Sequence, residues 1–312
     1  MEIQNDDVTN MKVYRSTFKA MGCANEILAA AVNATVAAQA MDAAAREVLR
    51  IEAKYSRYRD DSVIAKINHA AGDGQFIACD DETMWMLGCA NELYIESNGL
   101  FDVTSGILRR AWDFNKSVLP SQETLAPLLA LVGWDKVERT AMSVRLTKPG
   151  MEIDFGGFGK EYASDRAVQV LKDHGIISGY VNLGGDICAV GPDPDGKPWL
   201  VGVGNPRIKG AIVATIPVMT GAIATSGDGE KYIVIDGRIY CHILNPKTGM
   251  PVNYWASTTV RAPTAIMAGA ISTIAMLKEA SAIDFLANAN TPYFFVDLSG
   301  QFYSNQQLSK AA

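Results

Sequence analysis

The order in which the local patterns arrive constrains this chain most. Helical spacing dominates before Gly179 and β-branched runs follow it, and chains that segregate helices from strands fold as α+β domains, whereas repeated βαβ units alternate them. Residues 35–55 set Val36, Ala37, Met41, Ala44, Val48, Leu49 and Ile51 near one face among Asp, Arg and Glu, the period of an amphipathic helix. Residues 82–96, closed by Asn98-Gly99, residues 121–131, opened by Ser121 or Thr124, and residues 160–174, closed by Gly175, read as further helices. Strands are expected over 180–183, 199–203, 212–217, 232–235, 239–244 and 258–261, each between Gly, Pro and Asp punctuation. A buried helix over 263–277, a short helix over 280–289 and a hairpin over 293–303 turning at Ser299-Gly300 follow. The spacing predicts an α+β fold with a mainly antiparallel sheet, and no low-complexity linker divides residues 1–312 into more than one domain.

Composition narrows the ligand class. With 48% hydrophobic residues the 312-residue chain buries a sizeable core. Its net charge of −6 argues against nucleic acid as a partner, because a phosphate-backbone binder needs a basic surface. Any phosphate-bearing ligand is therefore small and held locally. The five cysteines are odd in number, scattered and without a Cys-x-x-Cys pair, so neither a disulfide framework nor a zinc site is expected and a reducing compartment fits. The first eight residues are acidic and polar where a secretory signal needs basic and then apolar residues. The apolar run 263–277 is shorter than the ~20 residues that cross a bilayer. A soluble, cytoplasmic protein with no membrane partner is expected.

Three turn-rich loops, the one at His242, Ile153 to Lys160 and Val181-Asn-Leu-Gly-Gly-Asp186, suggest one anion-handling pocket. A strand-like run over 231–239 delivers His242 to the turn Asn245-Pro-Lys-Thr-Gly249, whose residue types fix backbone shape rather than fill a core. His242 there is a candidate proton acceptor, while His69 and His174 lie near helix ends as surface residues. In Ile153-Asp-Phe-Gly-Gly-Phe-Gly-Lys160 a strand is expected to end in a glycine turn that opens a helix, which lets backbone amides approach phosphate beside a lysine; a turn that binds nothing fits equally well. Neither the Walker loop nor the dinucleotide fingerprint is present. Ala224-Thr-Ser-Gly-Asp228 reads as a hairpin turn capped by Asp228, or as an acid/base or metal-organising group beside His242.

Together these segments resemble the ApbE flavin transferases, FAD:protein FMN transferases, from Phe18 to about Leu286. The matching pieces run in one order: Ala20-Met-Gly22, Tyr55-Ser-Arg-Tyr-Arg-Asp-Asp-Ser62 with Asn68, Gly99-Leu-Phe-Asp-Val-Thr104 with Trp112, Asp154-Phe-Gly-Gly-Phe-Gly-Lys160 with Tyr162, Asn182-Leu-Gly-Gly-Asp186, Ala224-Thr-Ser-Gly-Asp228, and His242-Ile-Leu-Asn-Pro-Lys-Thr-Gly249. The resemblance implies an ApbE-like (T-fold-like) domain. It implies an FAD site in which Met21 and Tyr58 contact the flavin, Gly99, Leu100, Phe101, Asp102 and Asp154 line the pocket, Lys160 lies near the adenylate portion and Ile243 packs on the cofactor. The implied reaction passes FMN from FAD to a Thr or Ser hydroxyl of a target flavoprotein and releases AMP, with His242 or Asp228 assisting and a Mg2+ ion held near Gly157, Thr273 and Ser272.

This sequence departs from the family pattern in ways that bear on the metal. The family carries an aspartate ligand on a small-residue helix with a threonine four residues later; here those positions are Gly269 and Thr273. Asn245 replaces the usual aspartate of the His loop, Glu161 replaces the glycine commonly found after the lysine, and no lipobox precedes the domain. Neutral oxygens alone bind magnesium poorly. Three activities therefore stay open: a metal-assisted transferase, an FAD-binding protein without turnover, and an FAD pyrophosphatase.

Overall fold

Eight strands hydrogen-bond in chain order into one antiparallel sheet. They are β1 (Lys12–Ala20), β2 (Cys23–Ala31), β3 (Gly179–Leu183), β4 (Asp186–Gly191), β5 (Gly221–Gly227), β6 (Trp255–Ala262), β7 (Tyr293–Asp297) and β8 (Phe302–Ser304). The computed structural model of the protein describes residues 11–306 and 309–310. Its helices are α1 (Ala34–Tyr55), α2 (Val63–His69), α3 (Asp81–Glu96), α4 (Gln122–Leu129), α5 (Gly159–Asp173), α6 (Ala265–Lys278) and α7 (Ala282–Asn288). The arrangement is the α+β one that the segregated patterns imply.

Five of these helices start where a side chain satisfies an open amide, α6 among them through Thr264, which accepts from Met267 N. Asn33 accepts from Val36 N, Ser62 from Ala65 N, Asp80 from Thr83 N and Ser121 from Thr124 N, the N-cap arrangement. On α1 the buried positions are Ala37, Ala40, Met41, Ala44, Val48, Ile51 and Tyr55, at three- and four-residue spacing. Val36 and Leu49, grouped with that face by sequence, are exposed. Helices α1, α5 and α6 pack on the sheet, where Ile27, Val181 and Leu183 share one core with Val48, Ile51, Phe158 and Leu171.

Several strands differ from the expectation. The β1–β2 hairpin was not expected: β2 is alanine-rich and β1 only half buried, so pairing across the sheet overrides a helical composition. All six residues of β4 are buried, because Ile187, Ala189 and Ile223 meet Trp199, Val201 and Val218 of a second small sheet on the face opposite the helices. A strand covered on both faces shows no alternation. The run 231–239 is a hairpin, Tyr232–Ile235 with Arg238–Cys241, turning at Asp236-Gly237 with φ of 50° and 76°. Ala224-Thr-Ser-Gly is the end of β5 rather than a turn.

The apolar stretch Ala265–Asn288 has the length and composition to cross a membrane, yet it is half buried within the protein and interrupted after α6, where Glu279 takes φ 48°. No strand precedes the glycine turn at Gly156-Gly157. Instead the Asn68 side chain of α2 takes both backbone groups of Ile153, donating to its carbonyl at 3.0 Å and accepting from its amide at 2.8 Å. Asn68 thereby sets the level of Asp154 and the turn. Removing it leaves a buried amide unsatisfied, so Asn68→Ala is expected to lower unfolding free energy by about 1–3 kcal/mol in urea titration. Faster hydrogen exchange at the Ile153 amide is the matching local readout.

Candidate functional site

The glycine turn opens into a cleft of about 660 Å³, within the range of roughly 300–1,000 Å³ typical of small-molecule sites. Its walls come from the segment after α1, the segment from Leu100 to Asn115, the N-terminus of α5, the start of β4, the end of β5, the His242 loop and the face of α6 that carries Thr273. Phe158 at the N-cap of α5 makes no side-chain cap, and Gly156 and Gly157 just before it are exposed to the cleft. A helix N-terminus left open in this way favours negative charge. A side chain at Gly157 is excluded by close approach, since an added Cβ would lie 2.9 Å from the Phe101 ring.

Beside that terminus sits a buried charge cluster. The Lys160 ammonium is hydrogen-bonded to the Asp186 carboxylate, donates to the Leu183 carbonyl at 3.3 Å and lies 3.5 Å from Glu161 Oε1. Asp186 also accepts from Thr225 N at 2.9 Å, which ties α5, β4 and β5 together. Burial pulls the Lys160 pKa down, but Asp186 and Glu161 outweigh it and hold the ammonium form. Burial pushes Glu161 up against the lowering influence of Lys160. The sequence suggested a lysine free to meet phosphate; the structure surrounds it with two carboxylates, so the fully ionised trio carries a net negative charge.

Glu161 and Gly269 are spatial partners. A Cβ built on Gly269 would lie 2.4 Å from Glu161 Cγ and 2.8 Å from its Oε1, so the carboxylate arm occupies the volume of a side chain at 269. Thr273 lies one turn further along α6 on the same face. Its hydroxyl is 3.0 Å from Ser226 Oγ, which is 2.8 Å from Ser272 Oγ.

On the segment after α1, Tyr58 is 79% exposed, with the Arg57 guanidinium 4.8 Å from its ring centre and donating to its hydroxyl at 2.7 Å. That hydrogen bond lowers the Tyr58 pKa. Arg57 also pairs with Asp154, whose other oxygen accepts from Gly156 N at 2.9 Å. Arg57 Nε is buried without a partner. His242 lines the cleft, and its Nδ1 lies 3.3 Å from the Lys231 carbonyl. With Nδ1 donating there, Nε2 keeps its lone pair. Desolvation lowers the His242 pKa. Asn245 Oδ1 accepts from Lys247 N at 2.9 Å, a turn that asparagine and aspartate make alike, so that departure leaves the loop intact.

The cleft brings together Tyr58, Leu100, Phe101, Asp102, Asp154, Gly157, Lys160, His242, Ile243 and Thr273. Four other candidates stand outside its lining. Met21, at φ 55° in the β1–β2 turn, donates its amide to Glu52 at 2.6 Å. Gly99, at φ 77°, follows the end of α3. Ser272 is fully buried and donates to the Gly269 carbonyl at 2.9 Å. Asp228 is buried and held by both Arg207 nitrogens at 2.5 and 2.7 Å, so its carboxylate is committed to that pair. Asp102 lines the cleft, but its oxygens accept from Thr104 and Trp134. Sequence reasoning missed Arg57, Glu161, Asp186, Thr225 and Ser226 as site residues, although each lies in or beside a quoted motif.

The chain belongs to the ApbE family: the model of that family matches residues 21–295. An FAD:protein FMN transferase of Haemophilus influenzae is 29% identical over 260 residues, covering 79% of this chain and 75% of that protein. One of Vibrio cholerae is 31% identical over 204 residues, covering 64% and 60% respectively. Among solved structures, the ApbE protein of Thermotoga maritima superimposes with a TM-score of 0.87 at 30% identity, over 95% of this chain and 97% of that one. The apo flavinyl transferase ApbE of Pseudomonas stutzeri gives 0.83 at 25% identity, over 96% and 95%.

Desolvation of His242 makes a direct prediction. In an NMR titration its imidazole, although open to the cleft, is expected to protonate below the ordinary histidine midpoint near 6.5. A His242 midpoint above 7 contradicts desolvation by the cleft wall.

Proposed function

We propose that this protein binds FAD in the cleft and transfers its FMN half to a Ser or Thr hydroxyl of a flavoprotein acceptor, releasing AMP. The observation that carries the reading is the convergence of an open helix N-terminus, a neutral histidine and an exposed tyrosine on one cleft sized for a small-molecule ligand. Family membership and the names of the relatives support it. Five unpaired cysteines support a reducing, cytoplasmic setting.

The cleft residues divide that reaction between binding and proton transfer. Tyr58, with few rotatable bonds and a flat face, suits stacking on the isoalloxazine rings, and Leu100, Phe101 and Ile243 supply apolar wall. The open N-terminus of α5 suits the diphosphate, Arg57 holds Asp154 and Tyr58 in place, and Lys160 steadies the carboxylates beside it. The acceptor hydroxyl gives its proton to His242 Nε2 as its oxygen bonds to the FMN-side phosphorus. The bond from that phosphorus to the bridging oxygen breaks, and AMP leaves with the bridging oxygen. Asp228, committed to Arg207, is left without a part in this scheme.

The residues also fit a magnesium ion. The floor offers oxygen donors, and one buried oxygen, Glu161 Oε2, has no hydrogen-bond partner. The Thr273 hydroxyl and the Gly157 backbone would hold the cation, which when bound offsets charge building on the diphosphate.

Purified protein incubated with FAD, Mg2+ and a peptide bearing Asp-x-x-[ST]-Gly-Ala-[ST] is expected to yield AMP and flavin-labelled peptide in equal amounts. AMP released without peptide indicates a pyrophosphatase, and FAD retained intact indicates a binding protein; either result overturns the transferase reading. His242→Gln is expected to slow transfer by about 10²–10⁴-fold with FAD affinity nearly unchanged. A loss of FAD binding in place of rate assigns His242 to binding.

A further inference from the structure

We infer that Glu161, reaching across from α5, supplies the anionic oxygen for the divalent cation at the floor of the cleft; the inference rests on the FAD-dependent function proposed above. The resemblance leads one to look for that charge on α6, at the position of Gly269. Here the glycine is what makes room for the carboxylate. With an added Cβ at 269 only 2.4 Å from Glu161 Cγ, a side chain there and the present position of Glu161 are mutually exclusive.

Three independent features of Glu161 point to a ligand. It is 7% exposed, yet it lines the cleft. Its Oε2 is buried without a hydrogen-bond partner, an arrangement costly for a carboxylate that has no other role. Its one cationic neighbour, Lys160, is hydrogen-bonded to Asp186, so an ionised Glu161 has no cation of its own. A cation reached from the cleft would fill the orphaned oxygen and balance the ionised carboxylate.

The remaining coordination matches the habits of magnesium. Among the described residues no cluster of three or more His, Cys, Asp and Glu side chains is poised to cage a metal, so the protein would contribute few charged ligands. Magnesium typically takes one or two carboxylates and completes its shell with substrate phosphates and water. Glu161 and the Thr273 hydroxyl, which both line the cleft, would supply such a half-shell. Affinity for the cation should therefore depend on bound FAD, and FAD should depend on the cation by the same factor.

The test uses the full chain, with Mn2+ followed by the EPR signal of the free ion and FAD followed by quenching of its fluorescence. For wild type, FAD is expected to tighten Mn2+ binding at least tenfold. Glu161→Gln, which keeps the shape and removes the charge, is expected to weaken Mn2+ binding at least tenfold while FAD binding without metal persists. The double variant E161G/G269D returns a carboxylate to the same volume from α6 and is expected to recover Mn2+ affinity to within about threefold of wild type. Glu161→Gln binding Mn2+ as wild type does, with FAD still quenched, overturns the inference and leaves the proposed function standing. Failure of wild type to quench FAD at all overturns the proposed function and the inference with it.

Discussion

The site depends on one buried arrangement of charge: the Lys160 ammonium held by the Asp186 carboxylate and adjacent to Glu161. Buried ion pairs cost desolvation and stay in place only when further hydrogen bonds satisfy them. Here the Leu183 carbonyl and the Thr225 amide supply those bonds. The result fixes the first turn of α5 against β4 and β5, and with it the direction in which Glu161 projects. Every other element of the floor is placed relative to that contact, from the open helix N-terminus to Thr273 on α6.

Glycine sets the complementary constraint. Gly157 lets the backbone lie against the Phe101 ring, and Gly269 lets a carboxylate from one helix occupy the surface of another. Neither role requires unusual φ angles; both require the absence of a Cβ. Around this floor the cleft divides its chemistry by wall. The aromatic and apolar groups Tyr58, Leu100, Phe101 and Ile243 suit a flat ring system, the α5 terminus suits phosphate, and His242 stands on a loop whose shape is set by Asn245 and Gly249. Trp112 ties that loop to the opposite wall by donating its indole N–H to the Gly249 carbonyl at 2.8 Å.

Much of this is legible in the sequence, and the gaps have physical causes. Long amphipathic helices announce themselves, because α1 repeats its apolar face over six turns and carries a capping Asn33. The alanines of β2 prefer helix in isolation, and β4 is buried on both faces, so neither shows a strand period. In the site, the turn chemistry around Gly156-Gly157 and Asn245-Gly249 marked the loops correctly, while partnerships between distant residues stayed hidden. Asp228 reads from the sequence as a turn cap or as an acid/base or metal-organising group, whereas Arg207 holds it in the fold. Gly269 read as a lost ligand and Glu161 as an unrelated departure. Only the packing of α5 on α6 shows that they occupy one volume.

The central claim, that the anionic ligand has moved from α6 to α5 rather than vanished, is tested most directly by diffraction. Crystals soaked with FAD and Mn2+, standing for Mg2+, should show an anomalous peak about 2.1 Å from a Glu161 carboxylate oxygen and beside the diphosphate. A peak confined to the phosphates, with Glu161 oxygens more than ~4 Å away and still unpartnered, would contradict the account.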